Sequence, residues 1–356
     1  MKIHNFSAGP SILPKTVFEQ AAQGVLNLDG SGLSVLEISH RSKEFVAIHA
    51  KAKELAKELL QVPDTHQILF LSGGASTQFF MSALNCLPQD GSAAYVDTGA
   101  WSTKAIKEAK RYGQLDVVAS SKESGYDSIP KGFEVSPDAA YLHFTSNNTI
   151  FGTQFRTFPD VPNPLICDMS SDILSRPVDV SKFGIIYAGA QKNMGPAGVT
   201  LAIVREDILG KVDRDIPSML DYRIHIKGDS MFNTPPVFPI YVSMLTMEWI
   251  KNNGGLEAAK KRNEEKAAAL YAEIDRNPLF KGVAALEDRS LMNVAFLLKD
   301  SDLEESFLNL CKTAGCQGVK GHRSVGGFRA SIYNAMPLEG VQALISVMQQ
   351  LEKQNG

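Results

Sequence analysis

Between Gln67 and Val204 the chain carries seven short apolar runs: Gln67–Leu71, Ala93–Val96, Leu115–Ala119, Ala140–Thr145, Pro164–Asp168, Gly184–Ala188 and Val199–Val204. Each has the length of a buried strand rather than of a helix. Helical spacing precedes the first run and separates the next ones. Phe45, Ile48, Ala52, Leu55 and Leu59 fall on one helical face over 43–61, and Ser76–Leu87 and Ser102–Tyr112 show the same period. Strands that alternate with helices can bury both faces of a sheet only as a layered structure. The pattern therefore predicts an α/β fold with a mainly parallel sheet flanked by helices.

The pattern changes after residue 210. Periodicity fails over 211–239, where Pro217, Pro235, Pro236 and Pro239 gather, and a segment of that length without structure of its own points to function or disorder. A long helical stretch, Ile240 to Asp275, is interrupted at Gly254-Gly255. Strand (Leu291–Leu298), helix (Leu303–Thr313), strand (Phe328–Tyr333) and helix (Leu338–Leu351) follow, which predicts a smaller C-terminal α+β domain. A chain of 356 residues is long for one core. We expect a large domain over 16–258 and a small one over 259–356, joined by the N-terminal segment 1–15.

Composition removes several classes of function. A net charge of -3 without a basic run gives no footprint for nucleic acid. No apolar run approaches the roughly 20 residues a membrane helix needs. The N-terminus has one early lysine and no continuous apolar stretch, unlike a signal peptide. Cys86, Cys167, Cys311 and Cys316 are scattered without a CxxC pair, which fits a reducing compartment better than a disulfide framework or a zinc site. His4, His49, His66, His143 and His225 show no metal-ligand spacing. The expectation is a cytoplasmic protein with no metal, no nucleic-acid partner and no membrane partner.

Several strand ends carry residues suited to chemistry. The run Phe183–Ala188 passes through small residues and stops at Lys192, beyond the carboxyl end of a strand, where open α/β sheets bind ligands. A lysine in a dry pocket loses proton affinity and becomes an amine nucleophile. Asp168 closes Pro164–Cys167 in the same way; there an acid can hold a protonated ring nitrogen, and Asp172 is a second candidate. Ser72-Gly73-Gly74-Ala75-Ser76-Thr77 joins a strand to a helix, a setting in which N–H groups converge on a phosphate. It is neither a Walker loop nor GxGxxG, and no GxSxG is present. Trp101 can stack on a flat ring. His40-Arg41, His322 and Arg329 are candidate anion binders, arginine offering a carboxylate two parallel hydrogen bonds.

These segments, in this order, resemble the phosphoserine aminotransferases, class-V members of the aspartate-aminotransferase-like superfamily of pyridoxal-phosphate enzymes. The markers are Asn5–Pro10, Ser39–Ser42, Gly73–Ser76, Ala188–Asn193, Phe232–Pro236 and Gly321–Asn334, spread over essentially the whole chain. The resemblance implies a large domain that binds pyridoxal 5'-phosphate. Lys192 would carry it as a Schiff base, Asp168 would face the pyridine nitrogen, Trp101 would stack on the ring, and Thr149 would lie near its hydroxyl edge. Ala75, Ser76 and Gln191 match phosphate-binding positions. Asn233 and Thr234 match residues reaching the phosphate from a neighbouring subunit, which implies a homodimer with shared sites. Arg329 resembles the anchor of the substrate α-carboxylate; His40, Arg41 and His322 resemble the group around the distal phosphate or carboxylate. Some members of the family carry arginine where this chain has Ser76.

The activity so implied is amino transfer between L-glutamate and 3-phosphohydroxypyruvate, giving O-phospho-L-serine and 2-oxoglutarate, with a phosphorylated four-carbon acid of pyridoxine biosynthesis as a further substrate. A cysteine desulfurase would need a mobile cysteine, whereas Cys311 and Cys316 fall on a predicted helix and its end. An alanine–glyoxylate aminotransferase would leave His40, Arg41 and His322 without a distal anion to bind. A non-catalytic scaffold would have no use for both Lys192 and Asp168.

Overall fold

The computed structural model describes residues 2–323 and 325–355. The chain opens with a short strand β1 (His4–Asn5), then helices α1 (Lys15–Leu26) and α2 (Lys43–Leu60). The alternating region follows as β2 (His66–Leu71), α3 (Gly74–Cys86), β3 (Ser92–Asp97), α4 (Ala100–Ala109), β4 (Gln114–Ser120), β5 (Leu142–Thr145), β6 (Leu165–Asp168), β7 (Phe183–Gly189) and β8 (Thr200–Arg205). Helices α5 (Tyr222–Lys227), α6 (Val237–Asn252) and α7 (Gly255–Arg276) lead to β9 (Phe280–Gly282), β10 (Asn293–Leu298), α8 (Glu304–Thr313), β11 (Cys316–Gln317), β12 (Phe328–Ser331) and α9 (Leu338–Asn355).

The seven predicted runs all join one sheet, in the order β2-β8-β7-β6-β5-β3-β4. Its β4-β3-β5-β6-β7 portion is parallel, and β8 runs antiparallel between β7 and β2. Strands β5, β6 and β7 are buried along their whole length. That explains why they read as unbroken apolar runs rather than as alternating ones: both sheet faces are covered. One apolar cluster, with Phe45, Leu55, Phe70 and Ile240, packs α2 and α6 against the sheet; another, with Phe79, Tyr95 and Tyr187, lies under α3 and α4.

The break at Gly254-Gly255 separates α6 from α7, both glycines having positive φ. A third apolar cluster joins Leu270, Phe296, Phe328 and Leu344 with Phe6 around the antiparallel sheet β12-β10-β9. Five elements were not read from the sequence: α1, the two-residue strands β1 and β11, β9 and α5. Strand β9 is three residues long, and α5 lies inside the proline-rich 211–239 segment, started by Asp221, whose carboxylate accepts from the Arg223 N–H.

The small antiparallel sheet meets the main one through buried polar groups. The Asn293 carboxamide accepts from Asn147 Nδ2 at 2.8 Å and donates to Ser331 Oγ at 2.9 Å and to Tyr333 Oη at 3.1 Å. Tyr333 Oη in turn donates to Ala8 O at 2.7 Å, and Asn147 Nδ2 also donates to Ser171 Oγ at 2.8 Å. A network of this kind is stabilising only while every member is satisfied. Replacing Asn293 by leucine strips partners from Ser331 and Tyr333 and should cost about 2–4 kcal/mol. The check is a lower denaturant midpoint at unchanged slope; an unaltered midpoint would contradict this assignment.

Candidate active site

Strands β5, β6 and β7 are parallel neighbours, so the loops that leave them open on one edge of the sheet. In the register of β6 and β7, Asp168 lies beside Tyr187, and the chain beyond Tyr187 turns within five residues to Lys192. That turn is tight: the N–H groups of Met194 and Gly195 both donate to Ala190 O. The loop leaving β5 brings Thr149, whose Oγ1 accepts from Lys192 Nζ at 2.7 Å. From the other side comes the N-terminal segment. Ser11 N–H donates to Gln191 O at 3.0 Å, and its hydroxyl donates to Lys192 O. Gly9 lies so close to the lysine stem that a Cβ there would sit 3.3 Å from Lys192 Cγ.

Helices α3 and α4 begin at the same edge. Gly73 starts α3 at φ 96, and any side chain there would collide with Thr77 Oγ1. No side chain caps α3, so the N–H groups of its first turn, at Gly74, Ala75 and Ser76, have no acceptor within the helix. They form the positive end of its dipole. Trp101 is in the first turn of α4, which is held by Asp97 through Ser102 and Thr103.

A cavity of about 290 Å³ opens between these elements. Its walls include Ala75, Ser76, Trp101, Thr149, Asp168, Gln191, Lys192, His322 and Arg329, nine of the thirteen residues expected from the sequence. His40, Arg41, Asn233 and Thr234 do not line it in the single chain. Ala8, Gly9 and Ser170 do, although sequence reasoning gave them no role. The small residues of Ser7-Ala8-Gly9-Pro10 were the available signal, since a backbone that passes close to a ligand needs them.

The electrostatics follow from burial. Asp168 is 4% exposed, and removal from water raises its carboxyl pKa, opposed first by Lys192 and then by Ser170, which donates through both its hydroxyl (2.6 Å) and its N–H (2.9 Å). Desolvation lowers the Lys192 amine to about 8, against the pull of Asp168 in the other direction and with Arg329 adding to the fall. Burial also lowers Arg329, whose Nη1 donates to Thr149 O at 3.3 Å while its Nε has no partner among the described residues. Trp101 Nε1 is buried and unpartnered as well. Desolvation lowers the His322 imidazole first, followed by Arg329, Arg323 and Lys104.

This inventory suits a flat, anionic, ring-containing cofactor together with an acidic substrate. Uncapped N–H groups fit a phosphate, the indole gives a stacking face, and the buried acid can meet a protonated ring nitrogen. The incompletely paired guanidinium fits a carboxylate. Asp172 was the second candidate for the ring acid, but it is occupied otherwise: it accepts from Ser146 Oγ and from Gln154 Nε2 (3.1 Å) and does not line the cavity. All four cysteines are buried and none lines the cavity; burial pushes the Cys311 thiol up to about 12. No thiol nucleophile faces this site.

The sequence profile of the family described as aminotransferase class-V matches residues 3–344. The chain is 61% identical to the phosphoserine aminotransferase of Flavobacterium johnsoniae over 99% of each, and 58% identical to that of Parabacteroides distasonis over 100% of each. Among solved structures, it is similar to the phosphoserine aminotransferase of Bacillus circulans subsp. alkalophilus, with TM-score 0.97 at 45% identity, covering 100% of this chain and 99% of that one. It is also similar to a pyridoxal-phosphate-bound phosphoserine aminotransferase of Trichomonas vaginalis, with TM-score 0.92 at 42% identity, covering 98% and 100%.

The depressed lysine gives a direct prediction. In the ligand-free protein, modification of Lys192 by an amine reagent, followed by peptide mapping, should rise with pH through a midpoint near 8 instead of the ordinary 10.5. Asp168→Asn removes the anion that favours the ammonium, so the midpoint should move lower still. A midpoint at the ordinary lysine value, or an upward shift in the Asn variant, would contradict the described environment.

Proposed function

The chain belongs to the class-V aminotransferase family, and from that premise we propose that it is a transaminase moving an amino group from L-glutamate to 3-phosphohydroxypyruvate, forming O-phospho-L-serine and 2-oxoglutarate. The observation that carries this reading is the pairing, in one cavity, of a desolvated amine with a buried acid, beside the Arg329 guanidinium, whose Nε has no partner among the described residues. Both substrates are anionic at both ends. The same cavity can therefore bind each in turn.

Pyridoxal 5'-phosphate, when bound, supplies an electron-poor ring that takes up the electron pair left when a substrate Cα–H bond breaks. Lys192 would hold its aldehyde carbon covalently. Asp168 would keep the ring nitrogen protonated, Trp101 would stack on the ring, and Thr149 would lie near its hydroxyl. Ala75, Ser76 and Gln191 would hold the phosphate. Arg329 fixes the substrate α-carboxylate, which sets the Cα–H bond within reach of the lysine. The Lys192 amine would accept the Cα proton as general base; with its pKa lowered to about 8, roughly a tenth of it is unprotonated at pH 7, far more than for an ordinary lysine. Ser170 orients Asp168 by donating through both its hydroxyl and its N–H.

The proposal extends to a homodimer with shared sites, in which a second copy supplies Asn233 and Thr234 to the phosphate and His40 and Arg41 to the distal anion. It is supported by their position outside the cavity of their own chain, and by the exposed Leu33 and Leu36 beside His40-Arg41 and the exposed Phe232 beside Asn233. The domain division at 258/259 is kept and is supported by the separate apolar cluster around β10 and β12, to which Phe6 belongs. Among the described residues no helix is long and apolar enough to cross a membrane; a cytoplasmic location is part of the proposal, as is activity on the phosphorylated four-carbon acid.

The test follows the visible absorption of the cofactor-loaded protein while glutamate, then 3-phosphohydroxypyruvate, is added. Glutamate should convert the spectrum to the amine form, and the phosphorylated keto acid should restore it. Failure of the second step would remove the proposed acceptor and leave a transaminase of other specificity. Lys192→Ala should still bind the cofactor yet lose turnover by at least about a thousandfold, in line with loss of a general base and covalent attachment together.

A further inference from the structure

Lys104 lies one helical turn beyond Trp101 on α4, and the two side chains share a face of the helix. Its ammonium sits 4.4 Å from the centre of the Trp101 ring. Trp101 lines the cavity, and so does His322, on whose imidazole the charge of Lys104 acts together with those of Arg323 and Arg329. Among the described residues Lys104 makes no ion pair with a carboxylate. An exposed lysine ordinarily extends into water or meets an acid one turn away. This one lies over the ring of a residue that lines the cavity, and its charge acts on His322 in the same sense as those of Arg329 and Arg323. Ser76, also in the cavity wall, offers a hydroxyl and no charge.

We propose that Lys104 is a specificity-determining residue that reaches across the edge of Trp101 to the distal phosphate of the substrate, favouring phosphorylated over unphosphorylated keto acids. The inference rests on the function proposed above and extends it to a residue outside the cavity wall. A phosphate dianion carries about twice the charge of a carboxylate at neutral pH, so an additional cation at the rim discriminates in its favour. Lysine suits the position because its flexible stem and compact charge can meet either a phosphate or the shorter side-chain carboxylate of glutamate, whereas a fixed guanidinium fork favours one geometry. The seat on the indole costs little to leave, since a cation–π contact at an exposed site is weak.

The experiment compares 3-phosphohydroxypyruvate with hydroxypyruvate as amino acceptors. In Lys104→Met the ratio of their kcat/KM values should fall about tenfold, the scale of one charge-assisted contact, while Lys104→Arg keeps the ratio within about threefold. Calorimetric binding of 3-phosphoglycerate, a phosphorylated acid with no keto group to react, should weaken in parallel in the Met variant. A ratio within about twofold of the parent in Lys104→Met, or an Arg variant that falls as far as Met, would overturn the proposal and leave Lys104 a solvated helix residue resting on tryptophan. Failure of the underlying reading has another signature: the unsubstituted protein would then transfer no amino group to either keto acid.

Discussion

The parallel pairing of β6 with β7 is the constraint on which the site depends. Two neighbouring strands that run the same way deliver their loops to the same edge, so Asp168 at the end of one and Lys192 beyond the end of the other share a cavity. Had β7 run antiparallel, the turn carrying Lys192 would open at the other edge of the sheet. Strands β5 and β3 extend the arrangement, adding Thr149 and, through α4, Trp101. The site is built from loops, but the strands behind those loops are buried and rigidly paired.

That pairing also sets the electrostatics. Placing an amine and a carboxylate together out of water is costly for each separately, and each partly offsets the other's cost. Because desolvation exceeds the attraction of Asp168, the lysine remains a weaker base than in solution, and the acid is shifted upward for the same reason. Such opposed shifts within a cleft are the pattern expected where a group must exchange protons near neutral pH. Arg329 arrives from the small antiparallel sheet, and the Asn293–Tyr333–Ala8 hydrogen bonds link that sheet to the N-terminal segment that packs on Lys192. Residues remote in sequence thus hold the anion anchor and the amine in one frame.

Much of this was legible in the sequence, for identifiable reasons. Strands buried on both faces are apolar throughout, so β5, β6 and β7 stood out, and Asp168 and Lys192 were visible because each follows such a run. Gly73-Gly74 announced the start of α3, since both have a positive φ that favours glycine and a side chain at Gly73 would meet Thr77. Helix α1 went unread although its buried Val17, Ala21 and Gly24 fall on one face, and the other missed elements are too short to show a period. Strand β9 is too short to show alternation, and α5 is a six-residue helix among prolines. Ser170 and Ala8 reach the cavity through loop geometry that composition does not encode. The position of Lys104 over Trp101 needs the helix axis as well as the sequence. His40, Arg41, Asn233 and Thr234 were picked out as anion or phosphate contacts, yet one chain alone does not bring them to the cavity.

The central claim is that the amine at position 192 bonds covalently to the cofactor. Borohydride reduction of the loaded protein, followed by proteolysis and mass mapping, tests it most directly. The account predicts one cofactor-derived mass increment, fixed on the peptide that contains Lys192 and absent from Lys192→Ala. An increment on any other lysine, or none after reduction of a coloured protein, would contradict it.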